Sequence, residues 1–244
     1  MKIIVPVSGG KDSQACVKLA VQNHGAENVT GLFCDTQFEH PITYAHVDKI
    51  GQMYGIHIDR ICAGSVVQQC ERFGRFPGGG ARHCTDYLKI RPTKQYLAAL
   101  NNVEVWYGMR TGESAARNTK YGERISTDLH PPHEIMPSKY PKYLAKQGIM
   151  FRLPILEWSD QDVLGFLGDE ANPLYAQGFD RVGCFPCLAS GDKWKEKAFG
   201  HDEFGRQQKV IVMELSKKIG KSIWTSKSGA QRNNEAQGCL VCSI

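Results

Sequence analysis

The chain of 244 residues lacks any apolar run approaching the roughly 20 residues that a membrane-spanning helix needs. It also lacks a charged-then-apolar leader, because its N-terminus reads directly as a strand. These absences exclude an obvious membrane partner and set the expectation of a cytoplasmic protein. No internal repeat and no low-complexity tract is present, which excludes a repeat architecture. Charge of neither sign dominates. The formal net charge of +5 is compatible with polyanionic partners such as ATP or nucleic acid without demanding one. Cysteine, by contrast, is plentiful: nine occur. In a reducing compartment disulfides are disfavoured, so paired cysteines point to metal ligands or redox groups.

The first hundred residues alternate between strand-like and helix-like stretches. Residues 2–7, 29–34, 56–61 and 103–107 read as strands, and residues 12–23, 41–54, 65–71 and 89–100 as helices. Such alternation predicts an α/β fold with a doubly wound, mostly parallel sheet, Rossmann-like in type. Ligands of such sheets sit at the carboxyl ends of the strands. Residues 74–80 read as an exposed glycine loop, and residues 130–148, rich in Pro, Lys, Tyr and His, as a long loop or lid. Leu153-Pro154-Ile155-Leu156 is expected to be a short edge strand. Ser159-Asp160-Gln161-Asp162 is expected to cap a helix running to about Gly168. The division expected is a nucleotide-binding domain over 1–178 and a small, basic, cysteine-rich subdomain over 179–244.

Ser8-Gly9-Gly10-Lys11-Asp12-Ser13 follows the apolar run Ile3-Ile4-Val5-Pro6-Val7. A strand, a glycine turn and a helix start aim backbone N–H groups and a helix N-terminus at one spot, which favours a phosphate. The common P-loop pattern G-x-x-x-x-G-K-[ST] is not met there, since Asp12 follows Lys11. Asp35, at the end of the second strand, is placed to orient a ribose hydroxyl, to help hold Mg²⁺, or simply to cap the next helix. Lys89 and Arg91 stand where they can meet phosphate or sulfate oxygens. Cys84 reads equally as core filler, metal ligand or nucleophile. Gly108-Met109-Arg110 ends a strand. Arg110 and Arg117 can clamp a triphosphate, with Glu113 between them to orient one, or the three form a surface salt-bridge ladder.

Cys184-Phe185-Pro186-Cys187 and Cys239-Leu240-Val241-Cys242 each put two thiolates on one tight turn. Together they suit a four-thiolate Zn²⁺ site or a 4Fe-4S cluster, and a redox dithiol or persulfide relay remains open. The lysines and arginines between Lys193 and Arg232 form either a nucleic-acid surface or a solvated face.

In order, the segments around Ser8–Ser13, Asp35–Glu39, Arg82–Pro92, Gly108–Arg117, Pro154–Trp158 and Asn172–Cys187 resemble the phosphoadenosine phosphosulfate (PAPS) reductase-like branch of the PP-loop ATP pyrophosphatases. The resemblance covers roughly residues 1–190. It implies binding of ATP with its pyrophosphate on Ser8, Gly9, Gly10, Lys11, Asp12 and Ser13, near Asp35, Lys89, Gly108 and Arg110. It also implies cleavage between the α and β phosphates, with Lys11, Asp12, Arg110, Glu113 and Arg117 as the catalytic set and Mg²⁺ helped by Asp12 or Asp35. The segments around Cys84 and Arg110 resemble DNA phosphorothioation ATP pyrophosphatases, which implies a DNA acceptor and a cysteine desulfurase as sulfur donor. Sulfonucleotide (PAPS or APS) reduction, tRNA thiolation and a non-catalytic zinc-bound nucleic-acid module are the alternatives. The chain departs from the reductases in its ending, Gly238 to Ile244, and in lacking their adjacent cysteine pair. Intact Ser8, Lys11 and Ser13 argue against a degenerate module.

Overall fold

A computed structural model describes residues 1–78, 81–124 and 126–224. Five strands form one sheet: β1 (Lys2–Val7), β2 (Val29–Asp35), β3 (His57–Cys62), β4 (Val103–Trp106) and β5 (Ile149–Arg152). Their order is β3-β2-β1-β4-β5 and every pair is parallel. This is the expected doubly wound α/β sheet. The order reverses between β1 and β4, and the crevice beyond their carboxyl ends is where ligands of open sheets collect.

The helices are α1 (Lys11–His24), α2 (Pro41–Tyr54), α3 (Val66–Phe73), α4 (His83–Thr85), α5 (Arg91–Ala98), α6 (Ala115–Tyr121), α7 (Pro132–Ile135), α8 (Tyr143–Lys146), α9 (Asp160–Leu167), α10 (Asp192–His201) and α11 (Glu203–Ile219). The period-2 alternation of β1 decides which helix lies where. Ile3, Val5 and Val7 face one side and pack with Ala15, Val17 and Ala20 of α1, Val47 and Ile50 of α2, and Val163 and Leu167 of α9. Ile4 faces the other side, with Leu97 of α5 and the segment carrying α7 and α8. A third cluster joins α3 to α10 and α11 through Val66, Cys70, Phe199, Val212 and Leu215.

Three expectations change. Residues 130–148 are no lid: Ile135, Met136, Tyr140 and Leu144 are buried in the main core, and the Tyr140 hydroxyl lies 3.0 Å from that of Tyr107. Four apolar anchors spread along a polar stretch suffice to bury it. The last strand is Ile149–Arg152 and not Leu153–Leu156. Pro154 has no N–H for a ladder, and Leu156 instead turns its carbonyl to the Thr111 N–H at 2.9 Å. The helix expected over 89–100 begins at α4 and passes through a π turn at Asp86–Ile90 before α5. The wider turn accommodates Pro92, which cannot donate a helical hydrogen bond.

Glu104, inside the sheet at 3% exposure, accepts hydrogen bonds from Trp106 Nε1–H at 2.8 Å and Arg152 Nε–H at 2.9 Å. Burial pushes its carboxyl up, but these partners outweigh burial and hold it below the usual carboxylate value. A depressed folded value means stability is present above the unfolded value of about 4.3 and is lost as pH falls through the folded one. Chemical denaturation followed as a function of pH should therefore show stability dropping below about pH 4.3, and Glu104→Gln should flatten that limb. Leu144→Ala should cost about 2–5 kcal/mol by urea denaturation. A loss near zero would return residues 130–148 to the status of a lid.

Candidate functional site

The turn after β1 is built around two close approaches. Gly9 has φ +74°, and a Cβ there would meet Thr43 Cγ2 at 2.6 Å, so only glycine fits the turn. Gly108, after β4, has no special φ. Its constraint is distance: a Cβ would meet the Asp12 carbonyl carbon and oxygen at 2.7 Å. The ends of β1 and β4 are thereby pressed together at the point where the strand order reverses.

Inside the turn, the Ser13 hydroxyl donates to the Gly10 carbonyl at 2.9 Å and accepts from the Ser8 N–H at 3.2 Å. The Gly10 N–H reaches the Ser8 hydroxyl at 3.4 Å. Helix α1 starts at Lys11 with Gly10 as its N-cap and no side chain capping it, so its N-terminus is directed at the turn. The chain returns here much later. Asn172 Nδ2–H donates to the Gly9 carbonyl at 3.0 Å, and the Tyr175 hydroxyl accepts from the Lys11 N–H at 2.9 Å. Burial pushes the Tyr175 phenol up, so it stays neutral.

These groups line an open cleft of about 200 Å³. Lys11 Nζ pairs with Asp160 Oδ1 at 2.9 Å. Arg110 Nε pairs with Asp12 Oδ1 and its Nη2 with Asp160 Oδ1, both at 2.7 Å, while Nη1 reaches the Trp158 carbonyl at 3.3 Å. Burial pushes the Asp160 carboxyl up, but Lys11 and Arg110 together overcome this and hold it below the usual carboxylate value. Glu113 Oε2 accepts from the Arg110 N–H at 3.3 Å and forms an ion pair with Arg117. Arg181, also on the cleft, has no ion pair among the described residues. Each other cation near the cleft already faces a carboxylate.

The expected site residues thus divide. Ser8, Gly10, Lys11, Asp12, Ser13, Arg110 and Glu113 share one cleft, and Gly9 and Gly108 shape it. Arg117 is fully buried behind Glu113, so the three charges are not a surface ladder, and Arg117 meets the cleft through Glu113. Asp35 does not line the cleft: it accepts from the Tyr44 hydroxyl at 2.7 Å and the Gln37 N–H at 2.8 Å. Lys89 lies in the π turn, also outside it. Its charge acts on Cys34 and Cys184, where burial dominates and pushes both thiols up.

Cys184 sits 3.3 Å from the Thr36 hydroxyl and 3.7 Å from Glu39 Oε1. Among the described residues, no group of three or more His, Cys, Asp or Glu is arranged to hold a metal. Cys239 and Cys242, the other half of the expected thiolate cage, lie outside the described residues.

Sequence reasoning overlooked Asp160, Tyr175, Asp180 and Arg181 as cleft residues, and Asn172 as the fastening of the Gly9 carbonyl. Asp160 read as a helix cap. The others stood within a segment that carried the resemblance without roles of their own.

A parallel α/β sheet with an anion-facing turn at its reversal point defines a nucleotide-handling class of fold. The model of the phosphoadenosine phosphosulfate reductase domain matches residues 2–190, and the chain belongs to that family, within the PP-loop superfamily. It is similar to an uncharacterized protein of Methanocaldococcus jannaschii, with 31% identity over 192 residues, 77% of this chain and 36% of that protein. It is also similar to an adenosine 5'-phosphosulfate reductase of Rhodococcus erythropolis, with 27% identity, 75% of this chain and 67% of that protein. In fold it is similar to the PAPS reductase of Candida auris, with a TM-score of 0.50 and 14% identity over 76% of this chain and 82% of that one. The chain spans 36%, 66% and 48% of the length of three of the curated relatives it matches. No helix among the described residues is long and apolar enough to cross a membrane.

Gly108→Ala should cost about 1–3 kcal/mol in urea denaturation, since the backbone at Asp12 must shift. Gly112→Ala, four residues further on with open space around it, should be nearly neutral. Equal stability of the two variants would remove the close approach as a constraint on the cleft.

Proposed function

We propose that this protein cleaves ATP between its α and β phosphates and transfers the adenylyl group to an acceptor during sulfur transfer. The observation that carries this reading is the cleft itself: the Ser8–Ser13 turn, the N-terminus of α1, and two buried cations, Lys11 and Arg110, converge on one spot. Pyrophosphate, the leaving group, is the part of ATP that such a spot favours most.

In this reading the backbone N–H groups of the turn and the Ser8 and Ser13 hydroxyls take the pyrophosphate oxygens. Lys11 and Arg110 offset the charge that develops as the bond to the α-phosphorus breaks. Glu113, held by buried Arg117, fixes the backbone from which Arg110 projects. Asn172 keeps the Gly9 carbonyl turned away from the incoming anion, so that it does not repel it. Arg181 is a further cation for the departing oxygens.

Mg²⁺ fits this donor set better at Asp12 than at Asp35. Asp12, although one of its oxygens pairs with Arg110, is a hard oxygen donor on the cleft, whereas Asp35 lies off it. When bound, Mg²⁺ would neutralise phosphate charge. The acceptor is proposed to be a DNA backbone phosphate, with sulfur from a cysteine desulfurase. This part rests on the resemblance of the segments around Cys84 and Arg110. The donor set of Cys184, Cys187, Cys239 and Cys242 is thiolate throughout and suits zinc or an iron–sulfur cluster equally, and no step above runs through it.

Relatives named APS and PAPS reductases favour a second reading, in which the same cleft holds a sulfonucleotide. The two readings part over one product. With α-labelled ATP, magnesium, a DNA acceptor and a sulfide source to displace the adenylate, AMP and pyrophosphate should form, and Lys11→Ala should slow this by at least about a hundredfold with the fold intact. Tight binding of PAPS or APS, with no pyrophosphate from ATP, would transfer the assignment to sulfonucleotide reduction.

A further inference from the structure

Asp160 is a third charged group at the heart of the cleft, and its position is unusual. A single oxygen, Oδ1, bridges Lys11 Nζ at 2.9 Å and Arg110 Nη2 at 2.7 Å. The two cations are nearly inaccessible, with side-chain exposures of 8% and 4%, while the Asp160 side chain is 67% exposed. An accessible carboxylate therefore sits on the solvent side of two buried cations, where an oxygen of an incoming anion would need to be.

The local structure gives this carboxylate a second place to go. Asp160 is the first residue of α9, behind the N-cap Ser159. A capping box fixes that helix start: the Asp162 N–H donates to Ser159 Oγ at 3.1 Å, and the Ser159 N–H to Asp162 Oδ2 at 2.7 Å. Val163 and Leu167 anchor α9 in the core. A carboxylate in the first turn of a helix is stabilised by the helix N-terminus, so leaving Lys11 and Arg110 does not strand its charge. The capping box and the core anchors fix the backbone of Asp160, so a move of this carboxylate needs only side-chain rotation.

We infer that Asp160 is an internal counter-anion that sets the specificity of the cleft, holding Lys11 and Arg110 together until a polyanion displaces it and selecting for polyanions that arrive with a divalent cation. This rests on the reading of the cleft as a pyrophosphate cradle. A metal-free polyanion must compete with the Asp160 charge and then sit beside it. The magnesium complex carries less negative charge and is opposed less. Asp160 thus acts as a positioning residue in the free protein and as a filter on the ligand.

The test uses the full chain and inorganic pyrophosphate as probe, titrated calorimetrically in EDTA and again with excess magnesium chloride. In EDTA, Asp160→Asn should bind pyrophosphate about tenfold more tightly than the unmodified protein, a difference of about 1.4 kcal/mol. With magnesium the gap should shrink to under about threefold. Asp160→Ser, which keeps a residue suited to a helix start, should behave alike. Asp169→Asn makes the same change in net charge at an exposed position and should gain less than about twofold.

Weaker or unchanged binding by both Asp160 variants in EDTA overturns the proposal, and so does a gain of the same size in both conditions. Lys11→Ala separates the two readings. If it loses pyrophosphate while the Asp160 variants gain nothing, the cradle stands and the counter-anion fails. If it binds as the unmodified protein does, or if no form binds pyrophosphate, the cradle reading fails and the proposal with it.

Discussion

The close approach of Gly108 to the backbone of Asp12 is the constraint on which the rest of the molecule depends. It exists because β1 and β4 are parallel neighbours although their sequences lie about a hundred residues apart, and parallel strands need long crossovers. Everything charged in the cleft hangs from that junction. Lys11 and Asp12 leave from one side of it and Arg110 from the other. A Cβ at residue 108 would meet the Asp12 backbone at 2.7 Å and press apart the two sides that carry this ion pair. The sheet is therefore the device that turns two loops into one electrostatic unit.

The charge arrangement has the character of a closed circuit. Arg110 is shared between Asp12 and Asp160, Asp160 between Arg110 and Lys11, and Glu113 between Arg117 and the Arg110 backbone. Buried cations left alone would repel one another and lose their hydration. Interleaved carboxylates make their burial tolerable in the absence of ligand. The cost is competition, because every carboxylate that steadies a cation also opposes an anion arriving there. Cradles of this kind gain preorganisation and give up some affinity for bare anions.

Most of the fold was legible in the sequence. The strands at Lys2–Val7 and Val29–Asp35 and the helix at Pro41–Tyr54 stand where alternation, apolar runs and Gly or Pro boundaries put them. Helix α9 begins at the Ser159 cap that its sequence announces. The failures share a cause. Residues 130–148 bury isolated anchors, such as Tyr140 and Leu144, set among Pro, Lys and His residues that mask them, and Leu153–Leu156 is apolar because it is buried and not because it is extended. The cleft was half legible. Ser8–Ser13 and Arg110 carry local signatures, whereas Asp160 and Tyr175 act only through distance in space, and their immediate neighbours look like an ordinary cap and turn. Asp35 stands at the strand end where the sequence places it, and Tyr44, nine residues on, donates to its carboxylate.

The bonds from Asn172 to Gly9 and from Tyr175 to the Lys11 N–H bear on how chains like this one can be recognised. The six-residue signature at the N-terminus is completed by side chains more than 160 positions downstream. In this chain the loop is therefore bipartite: the glycine turn, and an Asn-x-x-Tyr in the returning segment that fastens it.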